Sequence, residues 1–130
     1  MGVATPSTPP PSATLAHIVR VLIVDDHPGF RASARALLES EGHAVVGEAA
    51  DAAAARAAAG ALAPDVVLLD VGLPDASGFD LARELSPSLA IVLTSSRDWS
   101  EEAQLVAACG ARGFVSKDDL TGAALSVLVA

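Results

Sequence analysis

The chain has 130 residues, enough for one domain with a single core. Its net charge is −8, and its 8 basic residues form no cluster, which disfavours direct binding to nucleic acid or to an anionic membrane surface. No stretch approaches the roughly 20 uninterrupted apolar residues of a membrane span. We therefore expect a small cytoplasmic protein.

The first residues differ in composition from the rest. The segment Met1–Val19 has no Asp, Glu, Lys or Arg, and it holds four of the 8 prolines. It has neither the basic start nor the apolar run of a secretory signal. Such composition predicts a disordered, extended tail over residues 1–18, followed by a folded domain over 19–130. Docking of the triple proline into an aromatic-lined groove is a less favoured alternative.

From Val19 onward, strand and helix signals alternate five times. Short runs rich in Val, Ile and Leu, bounded by turn residues, predict buried strands. The predicted strands are 19–24, 43–49, 66–69, 90–94 and 113–116, and the predicted helices are 28–41, 51–61, 77–85, one capped by Ser100, and one from Asp118 to the end. Alternating βα units predict a parallel sheet covered by helices on both faces.

Helical spacing assigns residues to the core. In the first helix the stripe is Phe30, Ala34, Leu37 and Leu38, with Arg31 and Arg35 outside it. In the fourth it is Leu105, Val106 and Cys109, which makes a buried structural thiol of the single cysteine. The last helix is apolar nearly all round: Leu120, Ala124, Val127 and Leu128 are expected to face the sheet, and Ala123, Leu125 and Val129 to lie outside. Such an outer face predicts a homodimer or a partner contact through helix four, strand five and helix five.

Two hydrophobic runs end in aspartate, the first before Asp25 and Asp26 and the second before Asp70. In an open parallel sheet, the ligand crevice lies outside the carboxyl ends of the strands. Three carboxylates meeting there would repel one another by roughly 2–4 kcal/mol per pair at an effective dielectric near 20. A hard divalent cation held by oxygen ligands would offset this cost. These residues therefore predict a metal site.

The motifs together resemble a receiver (response-regulator) domain of two-component signalling, closest to receivers of the NarL/FixJ (LuxR-type) class. They are Asp25-Asp26 after strand one, Asp70 followed by Leu73-Pro74 and Gly78, Thr94 after strand four, and the segment 110–114 leading to Lys117. The resemblance covers residues 19 to about 129. It implies a flavodoxin-like (βα)5 three-layer sandwich, with a five-stranded parallel sheet in the order 2-1-3-4-5.

The resemblance also implies a chemistry. Asp70 would accept a phosphoryl group from a histidine kinase or phosphotransfer protein. That donor would dock beside helix one, near Arg31 and Arg35. Mg²⁺ would be held by Asp25 (through water), Asp26, Asp70 and the backbone carbonyl of Gly72, while Lys117 and Thr94 contact phosphoryl oxygens. Thr94 and Phe114 would form the switch. Such a chain catalyses only its own phosphorylation and dephosphorylation and is not otherwise an enzyme.

Departures from the family pattern add two expectations. Phenylalanine at position 114 removes a phenolic hydroxyl, so only ring packing can report the active state. Lys117 is followed by Asp118, whereas many receivers have a proline at this position, so no cis Lys-Pro peptide can form. Close relatives also lack the proline. Small residues at Gly72 and Ser96 leave attacking water unobstructed, which predicts a phosphoryl group lasting minutes or less.

Several alternatives remain open. Each aspartate alone could simply cap a helix, and His27 and His43, without paired ligands, read as structural or surface residues. Beside a stand-alone phosphoaccepting receiver, the chain could be a phosphorylation-independent pseudo-receiver or a truncated receiver of a DNA-binding regulator. A flavodoxin-like cofactor binder or an aspartyl phosphatase is disfavoured, because Asp-Asp-His-Pro stands where a glycine-rich phosphate loop would follow strand one.

Overall fold

The computed structural model describes residues 18–96, 103–121 and 123–125. Expectations for the tail, for Ser100 as a helix cap and for Val127 to Val129 lie outside these ranges. The elements in chain order are β1 (Arg20–Val24), α1 (Pro28–Ser40), β2 (Ala44–Ala49), α2 (Ala52–Leu62), β3 (Val66–Asp70), α3 (Gly78–Leu85), β4 (Ala90–Ser95), α4 (Ala103–Ala108), β5 (Gly113–Ser116) and a 3₁₀ turn (Lys117–Asp119).

The five strands form one parallel sheet in the order β2-β1-β3-β4-β5, which confirms the predicted fold and strand order. Side chains alternate between two cores. One core packs β1, β3 and β4 against α2, α3 and α4, and the other packs the opposite face against α1, Leu120, Ala124 and Leu125. The result is the expected three-layer sandwich. Within the described ranges, no helix combines the length and the apolar character that a membrane crossing needs.

Most helices begin or end close to the residues predicted from local sequence signals. Pro28 occupies the first turn of α1, and Gly42 follows that helix with a φ of 93°. Asp51 caps α2 by accepting a hydrogen bond from the Ala54 N–H at 2.8 Å. Ser77 caps α3 in the same way, accepting from the Phe79 N–H at 3.1 Å.

The start of the last helix was predicted wrongly. Asp118 lies in a 3₁₀ turn capped by the Ser116 hydroxyl, and Leu120 is extended, with a φ of −64° and a ψ of 124°. The next helical residues are 123–125, and Thr121 Oγ1 accepts a hydrogen bond from the Ala124 N–H at 3.0 Å. This interruption changes the phase of the apolar stripe, so Leu125 is fully buried rather than outside it.

The core face of α4 was predicted partly correctly. Val106 and Cys109 are buried, and the thiol donates a hydrogen bond to the Val106 carbonyl at 3.0 Å. Leu105, however, is 37 % exposed. The helix turns Val106 and Cys109 towards the sheet and leaves Leu105 at the margin of that face.

Candidate functional site

The carboxyl ends of β1 and β3 bring the predicted carboxylates together. The register of these parallel strands places Val24 beside Leu69, so Asp25 and Asp70 follow side by side. Asp25 and Asp70 are buried, while the Asp26 side chain is 35 % exposed. One ligand atom from each of these aspartates and from His27 lies within 4.8 Å of all the others.

This set of side chains fits a divalent cation. Carboxylate oxygens are the ligands that Mg²⁺ prefers, and three of them carry more negative charge than the one adjacent lysine can neutralise. Asp25, Asp26 and Asp70 are the side chains that would hold the ion. Gly72 lies in the loop after β3, where its carbonyl could complete the protein's ligands.

Lys117 reaches this cluster from the end of β5. Its Nζ lies 2.7 Å from Asp25 Oδ2 and 3.9 Å from Asp70 Oδ2, and its side chain is only 12 % exposed. Lys117 therefore lies at the site, as predicted, but its direct partner is Asp25 and not Asp70, the predicted phosphoacceptor. This buried pair stabilises the fold only while both members are present.

Burial and the neighbouring Asp25 charge raise the pKa of the Asp70 carboxyl above its ordinary range. The Lys117 ammonium and the Gly72 N–H, 3.4 Å from Asp70 Oδ1, act in the opposite direction. Burial and the like-charge repulsion expected from the sequence thus both disfavour the charged form of Asp70.

Thr94 stands beside Asp70 in the register of β3 and β4. Its side chain is fully buried, and no group in the described part of the chain hydrogen-bonds to its Oγ1. A buried hydroxyl without a partner costs about 1–3 kcal/mol. The hydroxyl is therefore placed to gain from an oxygen ligand that enters the site.

Gly78 allows the loop after Asp70 to fold back on the end of β3. The Gly78 N–H donates to the Val71 carbonyl at 2.8 Å, and Gly72 pairs with Ser77. A Cβ on Gly78 would lie 2.6 Å from Val71 Cα and would also meet the Asp70 carbonyl oxygen. The backbone atoms of residues 70 and 71 leave no room for a side chain at position 78.

We expect Gly78→Ala to lower the free energy of unfolding by about 1–3 kcal/mol, because the added methyl must push the backbone apart. Gly60→Ala is the matched control, since Gly60 lies in α2 with no atom within 4 Å of an added Cβ. The control should gain about 0.5–1 kcal/mol from helix propensity. Urea titration of both variants measures the difference, and equal effects would contradict this account.

Phe30, predicted only as a core residue, also contacts the site. Lys117 Nζ lies 4.6 Å from the centre of its ring, within the range of a cation–π interaction. The ring supports the ammonium from α1 while Asp25 binds it from β1. Phe30 therefore helps to position Lys117.

A double-mutant cycle tests this contact. Phe30→Leu combined with Lys117→Met should give a coupling energy of about 0.5–2 kcal/mol in unfolding titrations. Phe30→Tyr keeps an aromatic face and therefore the contact with Lys117, so the cycle with tyrosine should give a coupling energy near zero. Equal coupling in the leucine and tyrosine cycles would show that the ring only fills space.

Arg31 and Arg35, where a kinase was expected to dock, are tied to β2. Their Nε atoms lie 3.1 and 2.6 Å from the carboxylate oxygens of Glu48, and the hydrogen bond from Arg35 lowers the pKa of Glu48. Arg31 also donates to the Asp25 carbonyl at 2.7 Å. The pair thus braces α1 against β2, which is the neighbour of β1 in the sheet.

Besides Phe30, two residues make contacts that the sequence did not predict. His27 is exposed, as expected, but its Nδ1 lies 3.0 Å from Asp25 Oδ1 and 3.1 Å from Asp26 Oδ1. Its position directly after the acidic pair was the available signal. Asp75 accepts hydrogen bonds from the Ala52 and Ala53 N–H groups at 2.8 and 3.1 Å, which lowers its pKa. The sequence did not predict this contact between the β3–α3 loop and α2. Asp51, the local cap, already accounts for the start of that helix, and Asp75 is distant from it along the chain.

Phe114 lies on β5 beside an apolar groove rather than among the carboxylates. The groove, of about 330 Å³, runs between α4 and β5 and is lined by Val106, Ala107, Arg112 and Phe114, among others. The Phe114 ring is half-buried and packs against the core that α4 covers. Phe114, the predicted switch residue, therefore lines an accessible apolar groove.

A parallel (βα)5 sandwich with an acidic cluster, a lysine and a buried threonine at the carboxyl edge of its sheet matches one family. Residues 21–125 match the model of the response regulator receiver domain. The chain belongs to the response-regulator receiver family of two-component systems. In this family, phosphoryl acceptance is general, and Mg²⁺ binds at an acidic pocket.

Relatives place the chain more narrowly within the family. It is 42 % identical over 106 residues to the DNA-binding transcriptional activator DevR/DosR of Mycobacterium tuberculosis, covering 78 % of this chain and 48 % of that protein. It is also 42 % identical over 104 residues to the nitrate/nitrite response regulator NarP of Escherichia coli, covering 76 % and 48 %. The chain thus spans about half the length of the curated relatives it matches.

Solved structures agree. A LuxR-family two-component response regulator from Aurantimonas superimposes with a TM-score of 0.76 at 32 % identity, covering 85 % of each chain. The receiver domain of the response regulator NarL from Mycobacterium tuberculosis gives 0.74 at 36 % identity, covering 85 % of this chain and 96 % of that one. These neighbours confirm the predicted NarL and LuxR-type resemblance.

Proposed function

We propose that this chain accepts a phosphoryl group on Asp70 in a Mg²⁺-dependent reaction, with a histidine kinase or a phosphotransfer protein as donor. The observation that carries the proposal is the convergence of two buried carboxylates and one ammonium. Lys117 Nζ lies 2.7 Å from Asp25 Oδ2 and 3.9 Å from Asp70 Oδ2. Such a site offers a nucleophilic oxygen next to a cation that can stabilise an incoming phosphoryl group.

Each residue has a distinct part in the proposed transfer. An oxygen of Asp70 forms the new P–O bond while the P–N bond of a phosphohistidine donor breaks, and the electron pair leaves on the imidazole nitrogen. Lys117 and Thr94 stabilise phosphoryl oxygens by charge and by hydrogen bonding. When bound by the carboxylates and the Gly72 carbonyl, Mg²⁺ supplies neutralisation of the phosphoryl charge.

Thr94 and Phe114 form the proposed switch. The Thr94 hydroxyl, which has no partner among the described groups, gains a hydrogen bond when a phosphoryl oxygen enters. The added charge of about −1.5 to −2 biases Thr94 inward, and the Phe114 ring follows. Thr94→Ala should keep phosphorylation but lose the conformational change, which a serine at this position should restore.

A small acyl phosphate tests the reaction without a kinase. Intact mass spectrometry should show one added phosphoryl group in Mg²⁺, sensitive to hydroxylamine and absent when a chelator is added. Asp70→Asn should remain unmodified, whereas Asp80→Asn, which replaces an exposed carboxylate of α3, should react normally. Modification of the Asp70→Asn variant at the wild-type rate would overturn the assignment of the acceptor, whereas a wild-type chain that is never modified would favour the alternative of a pseudo-receiver. The label should decay within minutes, because Gly72 and Ser96 are exposed and leave water a path to the acyl phosphate.

We propose output through the groove between α4 and β5 and the last helix, either to a second copy of this chain or to a downstream protein. The groove's apolar lining and the exposed Leu105 support this proposal. Light scattering with and without phosphorylation tests it, and an unchanged monomer that captures no partner would contradict it.

A second candidate output is control of DNA binding. It is supported by relatives such as the DNA-binding transcriptional activator DevR/DosR of Mycobacterium tuberculosis, of which this chain matches 48 %. The acidic net charge of −8 argues against direct DNA contact by these residues themselves. A pull-down that compares phosphorylated and Asp70→Asn protein separates a receiver acting alone from one acting through another domain. The family and the free, buried Cys109 support a cytoplasmic location for either output.

A further inference from the structure

We propose that His27 is an additional ligand at the acidic site, through Nδ1, and that this site therefore binds imidazole-preferring divalent ions of the first transition row more tightly than it binds Mg²⁺. The inference rests on the proposed metal site. The inference adds one nitrogen ligand to the carboxylates of that site, and it therefore concerns which divalent metal ions the site prefers.

The distances around His27 fit a shared ion. Nδ1 lies 3.0 Å from Asp25 Oδ1 and 3.1 Å from Asp26 Oδ1. In an octahedral complex with bonds of about 2.1 Å, adjacent ligand atoms lie about 3 Å apart. Nδ1 and the two carboxylate oxygens are thus spaced as neighbouring ligands of one ion, and all four side chains of the cluster offer an atom within 4.8 Å of the others.

The backbone keeps the ring in this position. The His27 N–H donates to Asp25 Oδ1 at 2.8 Å, and His27 is the residue before α1, with Pro28 in the first turn. The ring makes no capping hydrogen bond to that helix. The imidazole therefore lies beside the carboxylates and does not cap the helix. It can exchange its contact with Asp25 for a bond to a metal ion.

The chemistry of the ligands predicts a direction. Mg²⁺ takes oxygen ligands and keeps several waters, so a nearby imidazole adds little to its affinity. Co²⁺ and Ni²⁺ accept imidazole readily and bind a given nitrogen- and oxygen-containing site more tightly than Mn²⁺ does. An acidic site with an adjoining imidazole should therefore discriminate in favour of these ions.

Calorimetric titration of the intact chain with Co²⁺ and, separately, with Mg²⁺ tests the inference. We expect His27→Gln to weaken Co²⁺ binding about ten-fold or more, while Mg²⁺ binding changes by less than about two-fold. In the wild type, bound Co²⁺ should also give paramagnetically shifted ring-proton signals from a ligated imidazole. Those signals should vanish in His27→Gln.

His43→Gln is the matched control. His43 precedes β2, at the edge of the sheet opposite the carboxylates, so its replacement should leave both affinities and the shifted signals in place. Equal Co²⁺ affinity in wild type and His27→Gln, with Mg²⁺-dependent phosphorylation intact, would overturn this inference and leave the proposed function standing. Failure of both ions to bind would overturn the proposed function together with the inference.

Discussion

Replacing Asp70 with asparagine is expected to stabilise the metal-free protein while it abolishes phosphorylation. Burial and the Asp25 charge make the Asp70 carboxylate costly in the folded state, since they raise its pKa. Relief of about 1 kcal/mol of repulsion would raise the thermal midpoint of a domain of this size by roughly 4–8 °C. Calorimetry in chelator measures the change.

The stabilisation should depend on pH in a defined direction. Because the folded pKa of Asp70 lies above the ordinary value of 3.8, the folded chain binds this proton more tightly than the unfolded chain does. The stability that this carboxyl contributes is complete below its unfolded pKa and is lost as the pH rises through its folded pKa. The advantage of Asp70→Asn should therefore grow over that interval and then level off.

Two controls isolate the effect. Asp80→Asn removes an exposed carboxylate, whose side chain is 72 % exposed, and should change stability by less than about 0.5 kcal/mol. Saturating Mg²⁺ should stabilise the wild type more than Asp70→Asn, because a bound ion removes the repulsion that the variant has already lost. A variant less stable than wild type in chelator would contradict the electrostatic account of the site.

Removing the lysine should have the opposite sign. Lys117→Met is expected to lower the free energy of unfolding by about 3 kcal/mol in metal-free buffer, because it leaves the fully buried Asp25 carboxylate without its cation. The same change should slow phosphorylation, since no ammonium remains beside Asp70. Urea titrations and phosphorylation rates measure the two effects separately.

The matched control is Arg83→Met, which removes a cation whose side chain is 49 % exposed and paired with Asp80. Loss of such a surface pair should cost less than about 1 kcal/mol. Adding Asp25→Asn to Lys117→Met should recover part of the lost stability, because the orphaned charge is gone. Equal costs for the two cation variants would mean that Lys117 behaves as a solvated charge.

Strand positions were predictable because their signals are local. Runs such as residues 66–69 are buried at every position and are apolar throughout, and polar or turn residues mark their ends. The aspartates after β1 and β3 could be placed at one edge because parallel strands share a direction. The strand order, by contrast, came from the family resemblance and not from periodicity.

Helix boundaries were predictable where one side chain caps them and not where neighbours compete. Asp51 and Ser77 cap their helices as local patterns indicate. At the end of the chain, the Ser116 hydroxyl accepts a hydrogen bond from the Asp118 N–H at 3.3 Å, which favours a 3₁₀ turn over continued helix. Leu125 consequently enters the core.

By itself, the sequence determined the alternating strands and helices, the carboxylates at the sheet edge and the identity of the residues that meet there. Only the tertiary structure decided that Lys117 binds Asp25 more closely than Asp70, that Phe30 supports its ammonium and that His27 joins the acidic cluster. The physical reason is one of range. Burial patterns and caps are set by neighbouring residues, whereas these contacts depend on side chains brought together from separate strands and helices.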